Sequence, residues 1–329
     1  MLRLPRLRYL RPKTAVEAAA MVAEAAPGKA MLIAGGTDLV PNLKRRQFDP
    51  DSLVQVPPLK AIRQHEGGFE LGAGVSLAEA AQHPGLRAAL PGYAEAAGLV
   101  SSPPLRNAGT VGGNLCVDTR CNYYNQTYEW RKSIGFCLKK DGDICLVAPS
   151  SPRCWAVSSS DTAPVAIALG ATVLLTGANG DERELPVAAL YQDDGIDYLA
   201  KRPEEVVTRI LLPVAAGVRT AYVKLRRRGS IDFPIAGAGV ALKLDGDTVE
   251  WARVVLSAAG ALPVEARAAD EFLSGRRFDV ETVTAAAELA AKPAKPLDNA
   301  DLSHFWRKRM VRLVVEDALR RAGRESTSA

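Results

Sequence analysis

The cysteines of this 329-residue chain are few, and all five lie between Cys116 and Cys154. Four of them, Cys121, Cys137, Cys145 and Cys154, have the spacing C-x15-C-x7-C-x8-C. Thiolates are the soft ligands that iron–sulfur clusters need, and four of them complete a [4Fe–4S] site. The alternatives are a four-cysteine zinc site and four ordinary buried thiols. Structural zinc sites usually contain a closely spaced cysteine pair, and this quartet has none.

Two glycine-rich loops form the second candidate site. Residues 32–39 read LIAGGTDL, and residues 107–114 read NAGTVGGN. Glycines let the main chain turn sharply and point successive N–H groups at one spot, which suits a phosphate. Either loop alone is more typical of a tight turn, and the spacing matches neither the G-x-G-x-x-G nor the Walker pattern. The presence of two such loops in one chain favours a dinucleotide site.

The remaining polar residues do not form an active site that the sequence can point to. His65, His83 and His304 are scattered without metal-ligand spacing, and the chain has no nucleophile elbow. The basic run at 226–228 is typical of a solvated strand end, with a docking role for a partner or an anion as the alternative. Cys116, outside the quartet, is interpreted as a structural thiol. We therefore predict no catalytic residue in this chain.

The elements that must position these groups begin with a helix after the capping box of Thr14 and Glu17. A strand at 30–34, a short helix and a strand at 53–56 follow, which predicts an N-terminal subdomain over residues 1–56. Residues 57–216 are predicted to form a second subdomain with both strands and helices.

An irregular, aromatic-rich insertion at 115–158 interrupts the second subdomain. Such a long stretch without helical or strand periodicity indicates function or disorder, and its aromatic residues argue against disorder. Residues 217–329 are predicted to form a C-terminal domain. Three strands followed by helices predict a three-stranded antiparallel sheet there.

The composition is that of an ordinary globular protein, with 24% charged and 47% apolar residues. The net charge of +5 falls short of the basic stripe that a nucleic-acid binder needs. The longest apolar stretch, at 163–176, contains Pro164 and Gly170 and is too short to span a membrane. No apolar block of a signal peptide follows the basic N-terminus, so a cytoplasmic location is expected.

Several longer segments resemble the FAD-binding subunits of the xanthine oxidase, or molybdenum hydroxylase, family. They are RPKTAVEA, IAGGTDLVPNLK, NAGTVGGN, SSSDTAPVAIALGA and YVKLRRRGSIDFPIAGAGVAL. The resemblance implies an α+β protein with a FAD-binding PCMH-type fold of two α/β subdomains and a C-terminal α+β domain. By position it also implies contacts to FAD from both loops and from three residues beyond them. The implied residues are Leu32, Ile33, Ala34, Gly35, Gly36, Thr37, Asp38, Leu39, Ala108, Thr110, Val111, Gly112, Gly113, Asn114, Asp118, Asp161 and Lys224.

The cysteine insertion is similar to one in the β subunits of 4-hydroxybenzoyl-CoA reductases, a branch of this family. In those subunits four such cysteines carry an extra [4Fe–4S] cluster. The resemblance therefore implies that Cys121, Cys137, Cys145 and Cys154 bind one [4Fe–4S] cluster in this chain.

The same resemblance implies an electron-transfer subunit. Its partners would be a large molybdenum-cofactor subunit and a small subunit with two [2Fe–2S] clusters, in a dimer of heterotrimers. Electrons from a low-potential donor such as ferredoxin would enter at the [4Fe–4S] cluster and pass through FAD and the [2Fe–2S] centres to molybdenum. There 4-hydroxybenzoyl-CoA would be reductively dehydroxylated to benzoyl-CoA.

Two alternatives stay open. One is the FAD subunit of another molybdenum hydroxylase, which oxidises a heteroaromatic compound or another CoA thioester. The other is a zinc-stabilised binding module with degenerate flavin loops.

Overall fold

Three β-sheets organise residues 2–324, which are the residues that the computed structural model describes. The first sheet is parallel, and a short helix follows each of its first two strands along the chain. Thr14 starts the first helix, because its hydroxyl accepts a hydrogen bond of 3.1 Å from the main-chain N–H of Glu17. The elements of this part are β1 (Arg8–Leu10), α1 (Ala15–Ala23), β2 (Ala30–Ile33), α2 (Leu39–Lys44) and β3 (Ser52–Gln55).

The second sheet has five strands, and all of its strand pairings are antiparallel. The sequence predicts an α/β subdomain for this part of the chain. Its elements before the insertion are β4 (Ile62–His65), β5 (Gly68–Gly72), α3 (Leu77–Gln82), α4 (Pro84–Ala89), α5 (Pro91–Gly98), α6 (Pro103–Ala108) and α7 (Val111–Leu115). After α8 (Tyr128–Ser133) in the insertion come α9 (Thr162–Leu169), β6 (Thr172–Thr176), β7 (Glu182–Pro186) and β8 (Val206–Pro213). The strand order is β4-β5-β8-β6-β7.

Helices α6 and α7 correct the prediction of a single structured loop around the second glycine motif. They span six and five residues, too short to show the apolar period by which helices are recognised. Outside α8, the insertion at 115–158 is irregular, as predicted.

The third sheet carries one strand more than predicted. Its elements are β9 (Val218–Leu225), β10 (Ala236–Asp245), β11 (Thr248–Ser257), β12 (Val264–Glu265), α10 (Arg267–Leu273), α11 (Val280–Ala291) and α12 (His304–Gly323). The short strand β12 pairs with β11 and follows the three strands that the sequence predicts. Two residues are too few to show strand alternation. The fold class, an α+β chain with an antiparallel sheet and helices at the C-terminal end, is confirmed.

Helix α9 lies between the second and third sheets and contacts β8, β10 and β11. All eight of its residues are buried, which explains why its sequence has no polar face. The helix therefore joins the two halves of the chain through one apolar core. A division of the chain into domains at residues 56 and 216 stays a prediction. Among helices within residues 2–324, none has the length and apolar character needed to cross a membrane.

A second close contact between the halves lies where α5 meets β9. A Cβ atom on Gly92 would come within 2.6 Å of the main-chain nitrogen of Ala221. The main-chain N–H of Gly92 also donates to the Thr220 hydroxyl at 3.0 Å. The packing of the two halves thus depends on the missing side chain.

We expect Gly92→Ala to lower the midpoint of thermal unfolding by several degrees. The methyl group would push the β9 backbone away, and such overpacking costs about 1–3 kcal/mol. Gly98→Ala is the matched control in the same helix, because its Cβ would meet only Ala81 at an ordinary 3.5 Å. Differential scanning calorimetry of both variants makes the comparison. Equal midpoints for the two variants would show that the close approach does not matter.

Candidate functional site

The first glycine loop joins β2 to α2 and packs directly on the second loop. A Cβ atom on Gly35 would lie 1.8 Å from the carbonyl oxygen of Ala108, so only glycine fits there. Gly36 has a φ of 68°, the left-handed conformation that side chains disfavour. The two loops that the sequence places about 75 positions apart therefore meet backbone to backbone.

The second glycine loop is fixed by hydrogen bonds on both sides of its glycines. The Thr110 hydroxyl caps α7 by accepting from Gly113 N–H at 3.0 Å. The side-chain oxygen of Asn114 accepts from the Ser160 hydroxyl at 3.0 Å and from the Thr162 hydroxyl at 2.8 Å. The loop is thus tied to the serine-rich segment before α9. The second loop's own N–H groups are used within the protein, those of Val111 and Gly112 by the Val75 and Ala73 carbonyls at 2.9 and 3.0 Å. What the structure brings together is the two loops themselves, as one shared dinucleotide site requires.

Asp161 and Lys224 form a buried pair at the N-terminal end of α9. The carboxylate and ammonium are 2.9 Å apart, and their side chains are 3% and 0% exposed. Tyr222 donates to the same carboxylate at 2.7 Å, and Lys224 also donates to the Leu99 carbonyl at 3.1 Å. Burial raises the pKa of Asp161, and the charge of Lys224 opposes that rise. The pair ties β9 to α9; direct contact of either residue with FAD stays a prediction.

Asp118 lies in the insertion and pairs with Lys139, which the sequence analysis did not single out. The two charged groups are 2.8 Å apart with side chains 7% and 5% exposed. Lys139 also donates to the Thr119 hydroxyl at 2.6 Å and to the Gly195 carbonyl at 2.5 Å. Asp118 therefore has a structural partner, and its predicted contact with FAD stays a prediction.

The four predicted cysteine ligands come together. Cys121, Cys137, Cys145 and Cys154 are each no more than 7% exposed and line one small pocket that is partly open to solvent. Aromatic and aliphatic side chains of the insertion, with Lys139, complete its wall. All five cysteines are free thiols. Cys116 lies outside the pocket and packs against the main core.

The four thiols line one pocket, and their arrangement bears on what the pocket could bind. Within residues 2–324, no three His, Cys, Asp or Glu side chains are arranged to bind a single metal ion. Thiolates around one zinc ion would lie about 4 Å from one another, whereas each thiolate of a [4Fe–4S] cluster binds its own iron. The donor set and the shared pocket therefore fit a cluster.

Burial shifts the pKa of two of these thiols. It raises the pKa of Cys121 to about 12 and that of Cys154 to about 11, and repulsion from Cys137 adds to both shifts. Metal ions bound in the pocket would supply the positive charge that keeps thiolates deprotonated.

The insertion is anchored on the first glycine loop and on α2. Arg120, next to Cys121, forms an ion pair with Asp38 and stacks over the Phe233 ring at 4.3 Å. The buried Arg131 donates to the carbonyls at the end of α2, those of Arg45 at 2.8 Å and Arg46 at 3.1 Å. Sequence reasoning missed both arginines. The only hint was a charged residue inside a cysteine-rich, irregular segment.

The comparisons with known proteins agree with this geometry. Residues 5–215 match the family described as "FAD binding domain in molybdopterin dehydrogenase", and residues 220–322 match "CO dehydrogenase flavoprotein C-terminal domain". The carbon monoxide dehydrogenase medium chain of Hydrogenophaga pseudoflava is 28% identical, over 97% of each chain. The aldehyde oxidoreductase FAD-binding subunit PaoB of Escherichia coli K12 is 31% identical, over 86% of this chain and 91% of PaoB.

A solved structure is similar throughout. It is the carbon monoxide dehydrogenase from Hydrogenophaga pseudoflava that lacks the Mo-pyranopterin moiety of the molybdenum cofactor. It aligns with a TM-score of 0.79 at 28% identity and covers 98% of both chains.

We expect Gly35→Ala to abolish stable FAD binding. The methyl group would overlap the Ala108 carbonyl and force the two loops apart. The measurement is the FAD-to-protein ratio after gel filtration. Gly67→Ala is the control, since its Cβ would meet only the His65 ring at 3.7 Å and it should retain wild-type flavin. Wild-type FAD content in Gly35→Ala would contradict the arrangement of the loops.

Asp161→Asn should destabilise the fold strongly. It leaves the Lys224 ammonium buried without its charge partner, and breaking a buried pair in this way costs about 3–5 kcal/mol. The matched control is Asp181→Asn, which breaks an exposed pair with Arg202 and should change stability little. Urea unfolding gives the free energy of each variant. If both variants had the wild-type free energy of unfolding, the buried pair would not contribute to stability.

Proposed function

Because the chain belongs to the FAD-binding subunits of the molybdenum hydroxylase (CO dehydrogenase/xanthine oxidase) family, we propose that it is the FAD-carrying electron-transfer subunit of an oxidising molybdenum enzyme. The observation that carries this proposal is the contact between the two glycine loops, within the residues that match the FAD-binding family. Relatives named above are a dehydrogenase chain and an aldehyde oxidoreductase subunit, which supports oxidation as the direction of the reaction.

The protein residues of this site bind and orient; none of them is assigned to substrate chemistry. Bound FAD would take or give electrons singly or in pairs, and a [4Fe–4S] cluster one at a time. The glycine loops would hold the dinucleotide by main-chain groups, and the Asp161–Lys224 pair would keep β9 beside them. The oxidised substrate, a heteroaromatic compound or a CoA thioester, would bind on another subunit.

We extend the proposal to partners and location. The partners would be a large molybdenum-cofactor subunit and a small subunit with two [2Fe–2S] clusters, in a dimer of heterotrimers. The family match supports this assembly. A cytoplasmic location is supported by five free cysteines, which are typical of a reducing compartment.

We also propose a [4Fe–4S] cluster in the four-cysteine pocket. Four buried thiols line this one pocket, which supports the proposal. The insertion that carries them also resembles one that binds such a cluster. The pocket lies beside the first glycine loop, since Arg120 reaches Asp38 from the residue before Cys121. A cluster there would therefore be bound next to a residue that contacts the first glycine loop, which supports electron exchange between the two centres as part of this proposal.

The four-cysteine pocket also favours a second candidate function, a 4-hydroxybenzoyl-CoA reductase subunit supplied by ferredoxin. The two candidates differ in direction and can be separated in the assembled complex. Reduction of 4-hydroxybenzoyl-CoA by reduced ferredoxin would support the second. Oxidation of a heteroaromatic compound or another thioester, with no such reduction, would support the first.

The anaerobically purified chain should contain about one FAD and about four iron and four sulfide ions. Cys137→Ser should lose most of the iron and its visible absorbance while keeping FAD, because it removes one ligand of the pocket and nothing from the glycine loops. Cys116→Ser is the matched control and should keep both cofactors, since Cys116 lies outside the pocket.

Metal, sulfide and flavin analysis, with spectra before and after dithionite, gives the answer. Zinc without sulfide in the wild type would refute the cluster and support a zinc-stabilised module. Wild-type iron in Cys137→Ser would show that the iron binds elsewhere. Absence of flavin from the wild type would refute the main proposal.

A further inference from the structure

Asn299, in the segment between α11 and α12, contacts the two ends of the cysteine insertion. Its carbonyl oxygen accepts from the main-chain N–H of Asn122 at 2.9 Å, and its side-chain amide donates to the Trp155 carbonyl at 2.5 Å. Asn122 directly follows Cys121, and Trp155 directly follows Cys154. One residue of the C-terminal part is therefore bonded to the main chain next to two of the four cysteines.

A buried arginine fixes Asn299 in turn. Arg307 of α12 donates to the side-chain oxygen of Asn299 at 3.0 Å and is itself 0% exposed. Its other donors are used by main-chain carbonyls, those of Ile235 at 3.1 Å, Leu297 at 2.7 Å and Ala258 at 2.8 Å. A buried guanidinium that donates hydrogen bonds from all three of its nitrogens rigidifies what it touches. Through Arg307 of α12, Asn299 is thus linked to the residue just before β10 and the residue just after β11.

A main-chain pairing next to Asn299, here called the rung, also joins the two ends of the insertion. Arg120 and Val157 exchange main-chain hydrogen bonds of 2.8 and 2.7 Å, which hold the two ends of the insertion side by side. Asn299 bridges the same two segments just beyond that rung, on the cysteine side of each. The rung and Asn299 therefore set how far apart Cys121 and Cys154 lie. Cys137 and Cys145 are carried by the distal part of the loop, where Leu138 N–H donates to the Ile144 carbonyl at 2.8 Å.

We propose that Asn299, held by Arg307, is a positioning residue for the four-cysteine pocket. It clamps the base of the insertion so that the thiols of Cys121 and Cys154 keep the separation that a cluster requires. The inference rests on the cluster proposed above, and it assigns to the C-terminal domain a part in forming a site otherwise built within the insertion. Asn299 itself touches no thiol.

Two substitutions test the clamp in the full chain, purified anaerobically. Asn299→Ala removes the bond to the Trp155 carbonyl and one of the four acceptors of Arg307. Asn299→Asp keeps an acceptor for Arg307, so the fold is retained, but it has no amide to donate to Trp155. Both should lose iron to a chelator several-fold faster than wild type and show a broadened electron paramagnetic resonance spectrum after reduction. FAD content should stay at the wild-type level.

Leu319→Ala is the matched control for general destabilisation. It creates a cavity in the core beneath α12, in a hydrophobic cluster that contains no residue of the insertion. It should lower the thermal midpoint yet keep the wild-type rate of iron loss and the wild-type spectrum. Wild-type behaviour of both Asn299 variants would overturn the clamp and leave the cluster standing. The same acceleration in Leu319→Ala would also overturn it, since stability alone would then explain the loss. A wild-type chain without iron would refute the cluster and the clamp together.

Discussion

The approach of the Gly35 main chain to the Ala108 carbonyl is the contact on which the rest of the site depends. It joins a loop after a parallel strand to a loop between two short helices, and no side chain larger than hydrogen leaves room for it. Asn114 bonds the second loop to the start of α9. Helix α9 in turn packs between the second and third sheets, so the loops are attached to the core. A small steric requirement thus fixes how closely the two glycine loops approach each other.

The cysteine insertion is integrated into this frame rather than attached to it. Arg120 pairs with Asp38 of the first glycine loop, and Arg131 binds the carbonyl end of α2. From the other side, Asn299 reaches the insertion from the C-terminal domain. The four thiols are consequently held by contacts from three regions of the chain. This supports a role in which the pocket and the flavin loops keep a fixed relation, as electron transfer between two centres needs.

Much of this could be foreseen from local patterns. Thr14 starts α1, the apolar run before Gly35 forms β2, and the quartet of cysteines converges as its spacing suggested. The pairing of the strands could not be foreseen, because the antiparallel order of the second sheet is set by contacts between residues far apart in sequence. The short helices around the second glycine loop and the two-residue β12 leave too little sequence for a period to show.

The residues that hold the site together were also beyond sequence reasoning. Lys139, Arg120 and Asn299 are single polar residues without a motif, and each acquires its role only from a partner distant along the chain. The cysteine quartet could be recognised because four residues of one uncommon type lie close together in the sequence. A single asparagine that bonds to a main-chain carbonyl leaves no recognisable pattern in the sequence.

The most direct test of the central claim is diffraction from anaerobically grown crystals, measured on both sides of the iron absorption edge. The account predicts an anomalous iron peak inside the pocket lined by Cys121, Cys137, Cys145 and Cys154, with flavin density along the two glycine loops. A pocket without iron signal, or with a signal at the zinc edge alone, would contradict it.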